Sequence, residues 1–97
     1  MEVAKKVELD GHKFLIVFNV DKSDVGWFVT NRLVRDMETN TIVLRDSRST
    51  LIHFVDKTLK EITIETAQHA VERITFKEKD NEELQELRNW DGMIKSQ

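Results

Sequence analysis

The clearest alternation of apolar and polar positions lies in residues 6–20, on either side of Asp10-Gly11. Asp-Gly between two strand-like runs predicts a hairpin with a two-residue type I′ turn, because both central residues of that turn need positive φ. The turn then sets the register of the two strands. The predicted cross-strand pairs are Leu9 with His12, Glu8 with Lys13, and Val7 with Phe14.

The second strand of this hairpin is apolar at consecutive positions rather than at alternate ones. Leu15 and Val17 fall between the apolar residues of the other face, which are Phe14, Ile16, Phe18 and Val20. A strand that is apolar on both faces is typical of a sheet covered on both sides. We therefore expect a layer of structure against each face of the sheet.

Three further β-rich runs follow, at residues 25–35, 41–45 and 50–55. The first of them changes the parity of its apolar positions, so it either changes its core side along its length or contains a bulge, and alternation alone leaves both open. Asp46-Ser47-Arg48-Ser49 separates the other two runs and predicts a hairpin. The first half of the chain, residues 1–56, is thus predicted to form a five-stranded antiparallel meander.

After Asp56 the spacing of apolar residues becomes helical. A first helix is predicted over 64–75 from the stripe formed by Ile64, Ala67, Val71 and Ile74. A competing interpretation begins the helix at Thr58, because Thr58 and Glu61 have the spacing of a capping box. Three consecutive β-branched residues, at positions 62–64, are poor helix formers. On that ground we predict that residues 58–63 are extended.

A second helix is predicted over 80–92, where Asp80 and Glu83 form an acidic capping pair and Gly92 marks the end. Its apolar stripe consists of Leu84, Leu87, Trp90 and Ile94. This stripe either closes the core or offers an anchor to a partner, since Trp is enriched at interface hot spots. The residues proposed for partner binding are Trp90, Met93 and Ile94.

Together these elements predict an α+β fold. It consists of an antiparallel sheet, or a small curved barrel, of about five strands, with two C-terminal helices packed on it. A chain of 97 residues is expected to form one domain, residues 1–97.

Composition narrows the class of protein. The 39% of hydrophobic and 34% of charged residues are ordinary for a globular chain and too apolar for intrinsic disorder. No apolar run approaches the roughly 18 residues of a membrane span, and there is no cysteine for disulfides, so a cytoplasmic protein is expected. The net charge is −3, and the excess of acidic residues falls in residues 58–97.

Few residues suggest catalysis or metal binding. The histidines, His12, His53 and His69, have no metal-ligand spacing. Three glycines are too few for a phosphate loop or a dinucleotide fingerprint, so neither a metal nor a cofactor is predicted. Ser47 and Ser49 near His53 have the residue types of a hydrolase, but a turn of this composition is what a hairpin needs.

Four arginines form the most suggestive basic cluster: Arg32, Arg35, Arg45 and Arg48. If their strands pair, they predict one patch, to which Trp27 and Phe28 would add stacking surface for single-stranded nucleic acid. In the alternative interpretation, these arginines cover sheet edges and pair with neighbouring carboxylates.

The leading functional hypothesis is a small non-enzymatic module that binds another protein, either a different chain or a second copy of itself. The second hypothesis is a nucleic-acid-binding β-domain that uses the arginine and aromatic patch. The third is a small hydrolase.

Overall fold

In the described part of the chain, five antiparallel strands form one open sheet, and a single helix follows them. The structure is a computed structural model that describes residues 1–94. The strands are β1 (Glu2–Leu9), β2 (His12–Lys22), β3 (Gly26–Asp36), β4 (Thr41–Arg45) and β5 (Leu51–Val55), and the helix α1 is Leu59–Asn89. The predicted α+β class is confirmed, whereas the sheet does not close into a barrel.

The strand order departs from the predicted meander at its last step. β1, β2, β3 and β4 are consecutive neighbours, but β5 pairs with β3 instead of β4. β3 has 11 residues, of which Gly26 to Thr30 pair with β5 and Leu33 to Asp36 pair with β4. The predicted hairpin between β4 and β5 is wrong because two short strands fit end to end along one edge of this longer strand.

The hairpin of β1 and β2 has the predicted turn and register. Asp10 has φ 50° and Gly11 has φ 79°, as a type I′ turn requires. The pairs that close the hairpin are Leu9 with His12, Glu8 with Lys13, and Val7 with Phe14. The local sequence therefore determines this part of the fold.

Gly11→Val is expected to lower the free energy of unfolding by about 1 kcal/mol or more, because a β-branched residue is strained at positive φ. A Cβ atom at position 11 would have no neighbouring atom within 4 Å, so the loss of stability comes from the backbone conformation alone. Gly11→Asn is the matched control, since Asn tolerates this conformation. Denaturant melts of both variants test the turn, and an unchanged midpoint for Gly11→Val would contradict it.

A bulge in β3 explains its mixed pattern of apolar residues. Asn31 has φ 53°, and the register with β2 shifts between the pairs made by Val17 and Asn19. Val29 before the bulge and Val34 after it are both buried in the core, although they differ in parity. Both predicted alternatives therefore hold, because the bulge is what changes the core side of the strand.

One face of the sheet packs against the helix. The buried core consists of Phe14, Ile16, Phe18, Val20, Val29, Val34, Leu44, Ile62, Ala67 and Ala70. Leu15 and Val17 lie on the opposite face of β2 and are only half-buried. The expectation that both faces are covered is therefore wrong for residues 1–94, whose one helix lies on the first face.

The helix begins at Leu59, with Thr58 as its N-cap. Thr58 Oγ1 accepts from the Glu61 N–H at 3.1 Å, and Glu61 Oε1 accepts from the Thr58 N–H at 3.2 Å. The prediction that 58–63 is extended is wrong, and the alternative start at Thr58 is right. The capping box and the burial of Ile62 outweigh the modest helix propensity of the β-branched residues.

The prediction of two helices, over 64–75 and 80–92, is also wrong. α1 continues without a break from Leu59 to Asn89, and Asp80 lies within it. Residues 76–80 contain neither Gly nor Pro, so nothing in the backbone interrupts the helix there.

The two halves of α1 have different environments. The half-buried and buried positions end at Ile74, and every residue from 75 to 89, here called the distal helix, is exposed. The molecule measures 64 × 30 × 23 Å, and its radius of gyration is 18.3 Å, against roughly 13 Å for a compact chain of this length. The distal helix therefore projects beyond the sheet.

Candidate functional site

Large apolar side chains are exposed on the projecting part of α1. Phe76, Leu84, Leu87 and Trp90 are 63%, 49%, 63% and 51% exposed, respectively, and together they are called the distal stripe. At about 100° per residue they fall within an arc of about 120° on one side of the helix. The distal stripe is thus a narrow apolar surface that the sheet does not cover.

Acidic residues lie within this surface. Asp80 and Glu83 come between Phe76 and Leu84 on the same side of the helix, and they line one shallow depression with Leu84 and Leu87. Residues 75–94 hold six acidic and three basic residues, a net charge of −3. A surface that fits the distal stripe must therefore combine apolar and basic groups.

The predicted partner-binding residues lie at and just beyond the end of the helix. Trp90 is the C-cap, and its N–H donates to Glu86 O at 3.0 Å. Met93 and Ile94 are 72% and 81% exposed. Beyond the end of the helix, the Met93 N–H donates to Asp91 Oδ1 at 2.9 Å. None of the three packs into the core of residues 1–94.

The predicted arginine patch is divided between the two faces of the sheet. Arg32 lies on the helix side, where its Nε donates to Asp46 at 2.7 Å and its Nη1 to Thr66 Oγ1 at 3.3 Å. The Arg32 side chain is only 11% exposed. Trp27 also packs against the core, with Lys22 Nζ 4.8 Å from the centre of its ring. The polar contacts of Arg32 and the packing of Trp27 therefore lie on the helix side of the sheet.

The remaining residues of the patch are on or near the opposite face. Arg35 Nη1 donates to Asn40 Oδ1 at 2.9 Å, Arg45 is exposed opposite Leu33, and Arg48 is exposed in the loop after β4. Phe28 stacks on the His53 ring, with 4.2 Å between the ring centres. The structure brings Arg45 and Arg48 to one small cavity that Arg32 also lines.

His53 contacts a serine that sequence reasoning did not identify. Its Nε2 lies 2.8 Å from Ser23 Oγ, across the junction of β3 and β5. This contact depends on the pairing of β3 with β5, two strands that are far apart in the sequence. Ser47, by contrast, bonds the hydroxyls of Ser49 and Thr50 within its own turn.

The Ser23–His53 pair is exposed, whereas nucleophilic catalysis needs a serine beside a base that a third group orients. Within residues 1–94 there is no group of three or more His, Asp or Glu side chains that could hold a metal.

The part of the chain described here also has no helix with the length and apolar character that crossing a membrane requires.

The chain matches no protein-family model, and no curated protein or solved structure matches it significantly. The function of the chain is therefore inferred from the surface of the molecule.

Proposed function

We propose that the chain is a non-enzymatic protein-interaction module and that the distal stripe is its binding surface. The observation that carries the proposal is the exposure of Leu84, Leu87 and Trp90 on a helix that projects beyond the sheet. We keep the predicted cytoplasmic location as part of this proposal.

The physical reason is the cost of leaving such a surface in water. Apolar area contributes about 25 cal/mol per Å² when it is buried, so several exposed large side chains on one side of a helix favour association. Insertion of an amphipathic helix into a groove is a common mode of recognition, with anchors at i, i+3 and i+7 spacing. Leu84 and Leu87 are three residues apart, and so are Leu87 and Trp90, which is the i, i+3 spacing.

The distal helix is also ordered before binding. An isolated helix of 15 residues is marginal in water, but this one continues a segment that the sheet already holds. Thr66 and Ala70 anchor that preceding segment in the core. A partner therefore meets a preformed helix, and association loses less conformational entropy than the folding of a free peptide.

The other two hypotheses have weaker support. Two residues of the predicted nucleic-acid patch have other contacts: Arg32 is paired with Asp46, and Trp27 packs on the core. A hydrolase lacks an enclosed site around Ser23 and His53.

A capture experiment tests the proposal. The chain is immobilised and exposed to an extract of its native cells, with and without nuclease. We expect a captured protein that resists nuclease and is lost with the double variant Leu87→Ala/Trp90→Ala, because hot-spot residues contribute about 2 kcal/mol or more each. The control Thr75→Ala/Glu78→Ala changes exposed residues away from the distal stripe on the same helix and should retain the protein.

A thermal melt of Trp90→Ala accompanies the capture. Since Trp90 is half exposed, we expect its removal to change the free energy of unfolding by no more than about 0.5 kcal/mol. A loss of about 3–5 kcal/mol would instead place Trp90 in a core and remove it from the proposed surface. Capture that is abolished by nuclease, or that is unaffected by the double variant, would also contradict the proposal.

A further inference from the structure

The face of the sheet that α1 does not cover, here called the open face, has an apolar centre. Leu15, Val17 and Leu33 lie there as neighbours on β2 and β3 and are half-buried by one another and by the strands around them. The helix of residues 1–94 does not cover them, since α1 packs on the other face. Their burial is therefore incomplete.

Basic residues border this apolar centre. Lys6 and Arg35 flank Leu15 in one cross-strand row, and Arg45 is the neighbour of Leu33 in the next row. None of these three basic residues forms an ion pair within the described chain. The acidic residues of the same face lie in other rows: Glu2, Glu8 and Asp21.

The distal helix has the complementary character. Its apolar side chains are interrupted by Asp80 and Glu83, whereas the apolar centre of the open face is bordered by Lys6, Arg35 and Arg45. Opposite charges around two matching apolar surfaces favour the correct pairing and disfavour others.

A chain cannot join these two surfaces within itself. Residues 59–74 of α1 lie on the covered face, and the helix continues unbroken to Asn89. A helix of 31 residues is about 46 Å long, and it has no break that would return its distal part to the open face.

We infer that the open face of one protomer receives the distal helix of a second copy of the chain. This inference rests on the proposed function, because it uses the same distal stripe and names its partner. In a two-fold dimer each protomer donates its helix and receives the other, so the contact forms twice. Two contacts help to reach the roughly 1,200–2,000 Å² that specific interfaces bury.

Charge argues against the simplest alternative dimer. Pairing of two distal helices would bring two segments of net charge −3 together. Like charges in close contact disfavour association, and acidic residues within the stripe itself would face one another. The contact between helix and open face replaces this repulsion with attraction.

Sedimentation velocity with charge-reversed variants tests the inference. The wild-type chain is expected to be dimeric at micromolar concentrations. The sheet variant Lys6→Glu/Arg45→Glu and the helix variant Asp80→Lys/Glu83→Lys should each weaken self-association by about tenfold or more. All four positions are exposed, and a thermal melt of each variant checks that its fold is retained.

Mixing the two variants gives the decisive measurement. In the mixture, the basic helix of one chain meets the acidic face of the other, and the unchanged helix meets the unchanged face. A heterodimer of near wild-type affinity is therefore expected from two chains that fail to pair with themselves. The control Lys5→Glu/Lys60→Glu makes the same change in net charge at exposed positions outside the open face, and it should remain dimeric.

Other outcomes would overturn the inference. A sheet variant that dimerises like the wild type would indicate pairing between helices, and a mixture without heterodimer would refute the exchange. A monomeric wild-type chain would refute self-association, but the proposed function would then still be decided by nuclease-resistant capture through the distal stripe.

Discussion

Ile62→Ala is expected to lower the free energy of unfolding by about 2–5 kcal/mol. Ile62 is fully buried between the first turns of α1 and the sheet, and its removal leaves a cavity that the surrounding side chains fill only in part. A loss of this size is a large fraction of the 5–15 kcal/mol that stabilises a typical domain. If the alanine variant unfolds, Ile62→Val should still give a measurable cost of about 0.5–1.5 kcal/mol.

Ile64→Ala is the matched control, because it makes the same change two residues further along the same helix. Ile64 is 41% exposed, so its replacement should cost less than about 1 kcal/mol. Urea denaturation followed by circular dichroism measures both values. A larger cost at Ile64 than at Ile62 would show that the helix has the register predicted from sequence instead of the one in the structure.

The sequence pattern predicts a helix in this region and most of its buried side. In the predicted stripe, Ala67 is buried and Val71 and Ile74 pack against the core, but Ile64 is exposed. Ile62, Thr66 and Ala70 are buried outside that stripe. Thr66 is the reason for much of the difference, since a polar residue is not expected in a core. Its hydroxyl donates to Ile62 O at 2.8 Å and accepts from Arg32, and these partners are not visible in the sequence.

Contacts that are close in sequence were predicted better than distant ones. The turn at Asp10-Gly11 carries its own conformational requirement, so the first hairpin followed from two residues. The position of β5 depends on the length of β3 and on a bulge at Asn31, which together leave room for two strands along one edge. The alternation of apolar residues along the sequence does not indicate that two short strands share one edge of β3.

The candidate site was predicted in part. Trp90, Met93 and Ile94 were identified as an anchor from their residue types, and the structure leaves them exposed. Phe76 was missed because it lies between the two helices that the pattern predicted. The two-sided apolar pattern of β2 predicts that Leu15 and Val17 need a cover, but it does not say which chain supplies that cover.

β5 lies so close to β3 at Gly26 that a side chain does not fit there, and this leads to the second large effect. A Cβ built on Gly26 would lie 1.8 Å from Phe54 O and 2.9 Å from Phe54 C, both of which are backbone atoms. No side-chain rotation can relieve these contacts. Gly26→Ala is therefore expected to push β5 away from β3 and to lower the free energy of unfolding by roughly 3 kcal/mol.

Thr30→Ala is the control at the other end of the same pairing, where Thr30 lies opposite Leu51, and it should cost less than about 1 kcal/mol. Hydrogen exchange locates the damage in Gly26→Ala. The Asp56 N–H, which donates to Val25 O at 2.7 Å, should lose protection, while the amides of the β1–β2 hairpin keep theirs. Because Ser23 and His53 meet across this junction, their 2.8 Å contact should break as well. If Gly26→Ala retained wild-type stability and protection at Asp56, β5 would not pair with β3 at this position, and the meander predicted from the sequence would return as the better description of the sheet.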